Sequence, residues 1–190
     1  MVNAYIEGKF FEGITFPTLE IIKGEYENCH FTNCKFLNSN LSEFNFIECE
    51  FKNCDLSMAK MKGIGLKTIA FKNCKLLGIN FGDCNPFSLS LLFDDCLLNL
   101  SSFFKLKLKG IKFKNCNLQE VDFTETDLTS SSFEKCDLAG AIFEKSILEK
   151  ADFQTAYNYS IDPDINRIRK AKFSMAGIIG LLDKHDIEIK

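Results

Sequence analysis

The chain has 190 residues, of which 46% are hydrophobic, with 20 Phe, no Trp and a net charge of −3. That apolar supply is ample for a dry core and excludes a disordered chain, and the length suits one domain. The net negative balance, with Arg limited to Arg167 and Arg169, argues against direct nucleic-acid binding.

The apolar stretches are far too short to span a membrane, and Met1 is followed by no cationic and apolar leader, so a cytoplasmic location is expected. Residues 1–13 carry Tyr5, Ile6, Phe10 and Phe11 among charges. They are expected to cap the first coil of a repeat that starts near residue 14, because an open coil edge exposes unpaired backbone groups. From Phe16 an apolar residue then recurs every fifth position, through Ile21, Tyr26, Phe31 and onward to Phe81. Twelve residues separate Phe81 from Phe93, two more than two repeats, so the rhythm breaks once, within residues 82–92. A short loop containing Cys84, Pro86 and Phe87 is expected there. The second frame, from Phe93 to Phe153, alternates Phe and Leu strictly at every fifth position.

Neither ordinary secondary structure can use this period. On an α-helix, five steps of about 100° leave successive members about 140° apart, so no stripe forms. On a straight strand an odd step puts successive members on opposite faces. The chain must turn a corner about every five residues so that each Phe or Leu points at one shared axis. Cys34, Cys54 and Cys74 are spaced by 20, as are Cys96, Cys116 and Cys136, which gives four corners per turn. Residues 14–157 therefore predict an all-β, four-sided solenoid of about seven coils, roughly 30–35 Å long at about 4.8 Å per coil. Phe would occupy two opposite sides and Leu the other two, so that large and small residues alternate across a narrow core.

All nine Cys lie two residues before a fifth-residue position, from Cys29 to Cys136. Thiols in the core rhythm behave as small hydrophobes, so neither a metal site nor a disulfide framework is expected. Beyond Phe153 the rhythm stops. Asp162-Pro163-Asp164 marks a turn, and residues 158–190 are expected to cap the rod or to dimerise it. Ser174 can cap a short C-terminal α-helix whose Met175, Ile178, Ile179 and Leu182 fall on one apolar face. Gly177 and Gly180 weaken that helix, so it must dock, either as a lid or as a dimer interface. The stretch Asp186–Ile189 alternates like a short strand.

Catalysis is not expected. The only two His, His30 and His185, stand near opposite ends of the chain, and no Ser-His-Asp set can be drawn without one of them. Gly63 and Gly65 lack the Gly and Lys of a phosphate loop, and no cofactor is expected. What remains is a rod displaying charge. Residues 58–114 hold ten Lys and three acids, with Lys105, Lys107, Lys109, Lys112 and Lys114 close together. Residues 115–157 hold three Lys and nine acids, namely Glu120, Asp122, Glu125, Asp127, Glu134, Asp137, Glu144, Glu149 and Asp152. On a stiff lattice such an excess is a field, and this acidic surface is the expected partner-binding site. A scaffold whose charges only keep it soluble is the competing reading.

The repeat unit, a small residue, then usually Asp or Asn, then Leu or Phe, then two polar residues, resembles the pentapeptide-repeat family. CDLSM at 54–58, CNLQE at 116–120, CDLAG at 136–140 and ADFQT at 151–155 carry the likeness. It implies a right-handed quadrilateral β-helix. Within the family, CDLSMA at 54–59, followed by Gly78 and Phe81, is similar to the Qnr-type quinolone-resistance proteins. FSLSLLFDDCLL at 87–98, VDFTETDL at 121–128 and IDPDINRI at 161–168 resemble the microcin-immunity type. Both groups imply a type IIA topoisomerase, gyrase or topoisomerase IV, as partner and its protection from a poison by partial DNA mimicry; the Qnr type also implies a homodimer joined through C-terminal elements.

Overall fold

The computed structural model describes residues 4–18, 21–185 and 187–188. The chain winds as a parallel β-helix with four sides, here named A to D in the order the chain visits them. Side A begins with strands Ala4–Glu7, Gly24–Glu27, Asn45–Ile47 and Gly65–Lys67, paired in parallel. Side B is one parallel sheet of nine strands, running from Phe10–Glu12 to Lys172–Phe173. Side C is stitched by one bridge per turn from Thr15 to Tyr157, and side D by bridges such as Asn80 to Ser102 to Asp122. Nine strands on side B make about eight turns, one more than the period suggests, and a rod of about 38 Å. The ladder is longer than the regular frame because residues 4–12 pair in register with the adjoining turn, and Lys172–Phe173 pairs with Asp152–Phe153.

Side chains in the fifth-residue frame fill the axis. On side B the Phe rings stack turn upon turn, from Phe11 on Phe31 at 4.8 Å to Phe153 on Phe173 at 5.4 Å. Phe81, Phe103, Phe123 and Phe143 stack likewise on side D, at 4.5–5.4 Å. The two columns meet edge to face, as in Phe93 against Phe103 at 6.1 Å and 77°. Both geometries match what the ring quadrupole favours. Leu98, Leu118 and Leu138 on side C and Leu108, Leu128 and Leu148 on side A are buried between them. From Phe93 onward Phe and Leu thus occupy opposite pairs of sides, whereas in the earlier turns Phe36 lies on side C and Phe46 on side A.

Most corners fall two residues after a core position and hold a left-handed backbone. Asn33, Asn53 and Asn73 do so with φ of 51–55°, Gly78 and Gly140 with 64° and 68°. Asn tolerates this region because its short amide bonds locally, and Gly has no Cβ to clash.

The frame break takes the form of two 3₁₀ turns, Phe81–Asp83 and Pro86–Ser88, capped by the side chains of Asn80 and Asn85. The Ser90 N–H still reaches the Leu66 carbonyl and the Asn85 N–H that of Ile64, so the turn closes on side A with its extra residues pushed outward. Phe87 stands there 97% exposed.

The C-terminal segment is not the expected α-helix. Ser174 Oγ does accept the Gly177 N–H at 2.9 Å, and Ile178 N–H reaches the Ser174 carbonyl, but the chain continues as 3₁₀ over Gly177–Leu181 and Asp183–His185. The reason is close approach. A Cβ on Gly177 would sit 2.0 Å from the Tyr159 hydroxyl, and one on Gly180 would sit 2.0 Å from the Tyr159 carbonyl oxygen. The two glycines that weaken a helix are the ones that let the segment lie against the last coil, where Ile161 N–H bonds the Gly180 carbonyl. Of the strand-like ending, Asp186 and Ile189 lie outside the described residues.

Candidate partner-binding surfaces

Interior polar groups are consumed by the fold. The thiol of Cys49 bonds the Tyr26 carbonyl at 3.3 Å, that of Cys54 the Phe31 carbonyl and that of Cys74 the Phe51 carbonyl, each 23 residues back. Further along, Thr126, Ser146 and Asn166 donate to Phe103, Phe123 and Phe143 from the same repeat position at 2.7–2.8 Å. This position is a donor slot for a carbonyl turned inward at the preceding turn, which residue spacing alone does not disclose. All nine Cys are free and buried. Burial pushes the thiol of Cys49 up to about 11 and that of Cys84 to about 12. Among the described residues no cluster of His, Cys, Asp and Glu could hold a metal ion, and no helix is long and apolar enough to cross a membrane.

The nine carboxylates proposed from the sequence do not form one patch; the square coil distributes them around all four sides. Asp127 and Glu149 fall on side A, Glu134 and Asp152 on side B, and Glu125 at the corner between D and A. Four of these five face cations: Glu125 with Lys105 at 3.6 Å, Asp127 with Lys109 at 3.4 Å, Glu149 with Arg167 at 2.6 Å and Asp152 with Lys172 at 3.5 Å. Exposed pairs of this kind contribute only about 0–1 kcal/mol each, but they cancel field.

The remaining four gather on one quadrant. Asp137 lies on side C, Glu120 at the corner between C and D, and Asp122 and Glu144 on side D, within two adjacent turns. None of these makes an ion pair among the described residues. Asp122 and Asp137 also have a local duty. Their Oδ1 atoms accept the N–H two residues on, Thr124 at 2.9 Å and Ala139 at 3.1 Å, which closes the corner. Partial burial works against ionising Asp137, yet donors from Gln119 at 2.7 Å, Asn158 at 2.9 Å and Ala139 outweigh it and hold the carboxyl below its ordinary range. The Asp or Asn of the repeat is therefore first a turn former and only then a displayed charge.

Lys105, Lys107, Lys109, Lys112 and Lys114 wrap from the D/A corner across side A onto side B, away from that quadrant. At the C-terminal end Met175, Ile178 and Ile179 are exposed, Met175 at 87%, while Leu182 is partly covered. Lys184 bridges Asp162, at 2.7 Å, and Asp164, and so ties this segment to the last turn. His30 stacks on Phe10 at 4.9 Å, on the outside of side B, far from His185 at the other end.

The fold is a four-sided parallel solenoid with an interior closed by stacked rings and an outer lattice of charge. The profile of the pentapeptide repeat region matches residues 25–92 and 87–153, more than half of the chain, and the chain belongs to that family. No curated protein sequence matches it. Among solved structures it is similar to full-length QnrB1, described as a plasmid-mediated fluoroquinolone resistance protein, with a TM-score of 0.62 and 15% identity, covering 97% of this chain and 100% of that one. A trypsin-treated variant of QnrB1 matches with a TM-score of 0.60 and 18% identity, covering 98% and 92%. A second trypsin-treated variant gives 0.51 and 19%, covering 98% and 100%. At these identities the likeness is one of fold.

Proposed function

We propose that this protein is a non-enzymatic binding rod that engages a type IIA topoisomerase, gyrase or topoisomerase IV, and protects it from a poison by presenting duplex-like negative charge. The observation that carries the reading is the unpaired quadrant of Glu120, Asp122, Asp137 and Glu144, held on a stiff lattice of about 4.8 Å per turn. Ordered carboxylates of this kind can occupy a surface shaped for phosphates, because both present negative charge to Lys and Arg. The end-to-end likeness in fold to a fluoroquinolone resistance protein supports the same reading. Gyrase supercoiling and cleavage assays, with and without a quinolone or a peptide poison, test it. Added protein is expected to reduce poison-dependent cleavage. Changing Asp122 and Glu144 to Lys should abolish the effect, while the same changes at the paired Asp127 and Glu149 should leave it. A protein that neither binds gyrase nor alters cleavage removes the reading and leaves the scaffold alternative, which the neutralised carboxylates of sides A and B favour.

A further inference from the structure

Side C carries a longer pattern, of which the topoisomerase reading uses only Asp137 and, at the D-side corner, Glu120. Its outer row of bridged residues runs through eight levels, Thr15, Lys35, Asp55, Lys75, Leu97, Asn117, Asp137 and Tyr157, a straight track of about 34 Å. Exposed apolar side chains concentrate on it and on its D-side corner: Leu37 at 52%, Met58 at 58%, Leu97 at 40% and Leu100 at 63%. A shallow groove runs along its other edge beside Asn33, Asn53 and Asn73. Lys35 and Lys75 make no ion pair among the described residues.

We propose that side C is a self-complementary interface on which a second copy of this chain packs antiparallel. The argument is one of symmetry. A two-fold contact sets each residue of a row against its mirror level. With the axis crossing between Lys75 and Leu97, the second level meets the seventh, so Lys35 faces Asp137 of the second copy. The third meets the sixth, so Asp55 faces Asn117, and the alkyl stem of Lys75 covers Leu97. At the corner, Leu100 meets Gly78, whose missing Cβ leaves the Met58 sulfur room to lie across it; an added Cβ would stand 2.5 Å from that sulfur. One register therefore satisfies the charges and the apolar contact together, and sets no like charges opposite each other along this row. A parallel arrangement would set Lys35 on Lys35 and Asp137 on Asp137, which costs repulsion at both ends. The strip measures about 34 by 17 Å, roughly 600 Å² per copy against about 800 Å² for a standard specific interface, which places it among the small interfaces of weak, reversible dimers. The contact covers Asp137 and Glu120 of the acidic quadrant and leaves Asp122 and Glu144, on side D, open to another partner.

Sedimentation velocity and light scattering on the full chain, from about 1 to about 300 µM, test the proposal. The wild type should move from monomer to dimer across that range. Leu97→Glu should remain monomeric throughout with an unchanged circular dichroism spectrum. Lys35→Glu should weaken association at least about tenfold, and Asp137→Lys added to it should restore most of the loss. Because Asp137 also holds Gln119 and Asn158, thermal melts accompany the double variant; where it is unstable, Lys35→Glu and Leu97→Glu decide the matter. A wild type that stays monomeric at the top concentration overturns the proposal. So does a dimer that survives Leu97→Glu and is lost in Ile179→Asp, which would place the contact at the C-terminal end.

Discussion

Phe123 is the most direct test of how this molecule is held together. It is fully buried, stacked between Phe103 at 5.4 Å and Phe143 at 5.1 Å, and touched edge-on by Phe113 at 5.9 Å and Phe133 at 5.8 Å. Replacing it with Ala removes a buried ring and all four aromatic contacts. Phe→Ala in a core costs about 3–5 kcal/mol, and the upper end applies where neighbours cannot close the gap. Here they cannot, because each ring is fixed by a backbone ladder to the turns on either side. The expected loss is about 4–5 kcal/mol, which at about 2–4 °C per kcal/mol for this chain length lowers the melting temperature by roughly 8–20 °C. Thermal and guanidinium unfolding followed by circular dichroism measure it. Since a solenoid is stabilised turn by turn, the transition should also broaden or split as the two halves uncouple. Phe87→Ala is the control; with that ring 97% exposed, it should change stability by less than about 0.5 kcal/mol. A loss under about 1 kcal/mol for Phe123→Ala, or equal effects at the two sites, would refute the stacked core as the source of stability.

Three further outcomes are expected. Thr126→Val keeps the shape but removes one of the two donors to the Phe103 carbonyl, the hydroxyl at 2.8 Å, and leaves the Leu106 N–H at 3.1 Å, so a loss of about 0.5–1.5 kcal/mol should appear in denaturant unfolding. The nine thiols should be inert to a disulfide reagent at about pH 8 in the native protein and react together once it is unfolded, because all are buried; reaction of native Cys84 would contradict its packing. The carboxyl of Asp137 is held below its ordinary range, so the stability it contributes is present above about pH 4 and lost as pH falls through the folded value. Asp137→Asn should flatten that acid limb of the stability curve, and an unchanged limb would show the carboxylate to be idle.

The period of five shows the fold because it matches a single geometry, a corner at every repeat with one residue turned inward. Its reach was longer than the regular frame implies. Phe11 and Ile6 stand five and ten residues before Phe16, and Ile168 and Phe173 stand fifteen and twenty after Phe153, so the signal for an additional turn was present at both ends. Asn158 and Pro163, which fall where the frame expects an apolar residue, masked it. The surface was less legible. Which side a charge occupies depends on a residue's place within a turn of twenty, and whether it is neutralised depends on a neighbour one turn away, as Glu149 and Arg167 show at 2.6 Å. The C-terminal 3₁₀ path depends on Tyr159 pressing against two glycines, and no local helix propensity contains that contact.

The four-cornered turn also sets the arithmetic by which such a rod can change. Gaining or losing a complete circuit of twenty residues alters its length by about 4.8 Å while every later side chain keeps its compass bearing. A gain or loss of five swings everything downstream through a right angle; placed between Asp122 and Asp137 it would carry Asp137 and Glu144 to neighbouring sides and break up the quadrant. The two supernumerary residues between Phe81 and Phe93 escape that fate because they are extruded at Pro86 and Phe87, leaving Phe71 and Phe93 stacked at 5.4 Å in an unbroken column. Length is thus free to drift in whole circuits, whereas orientation is locked.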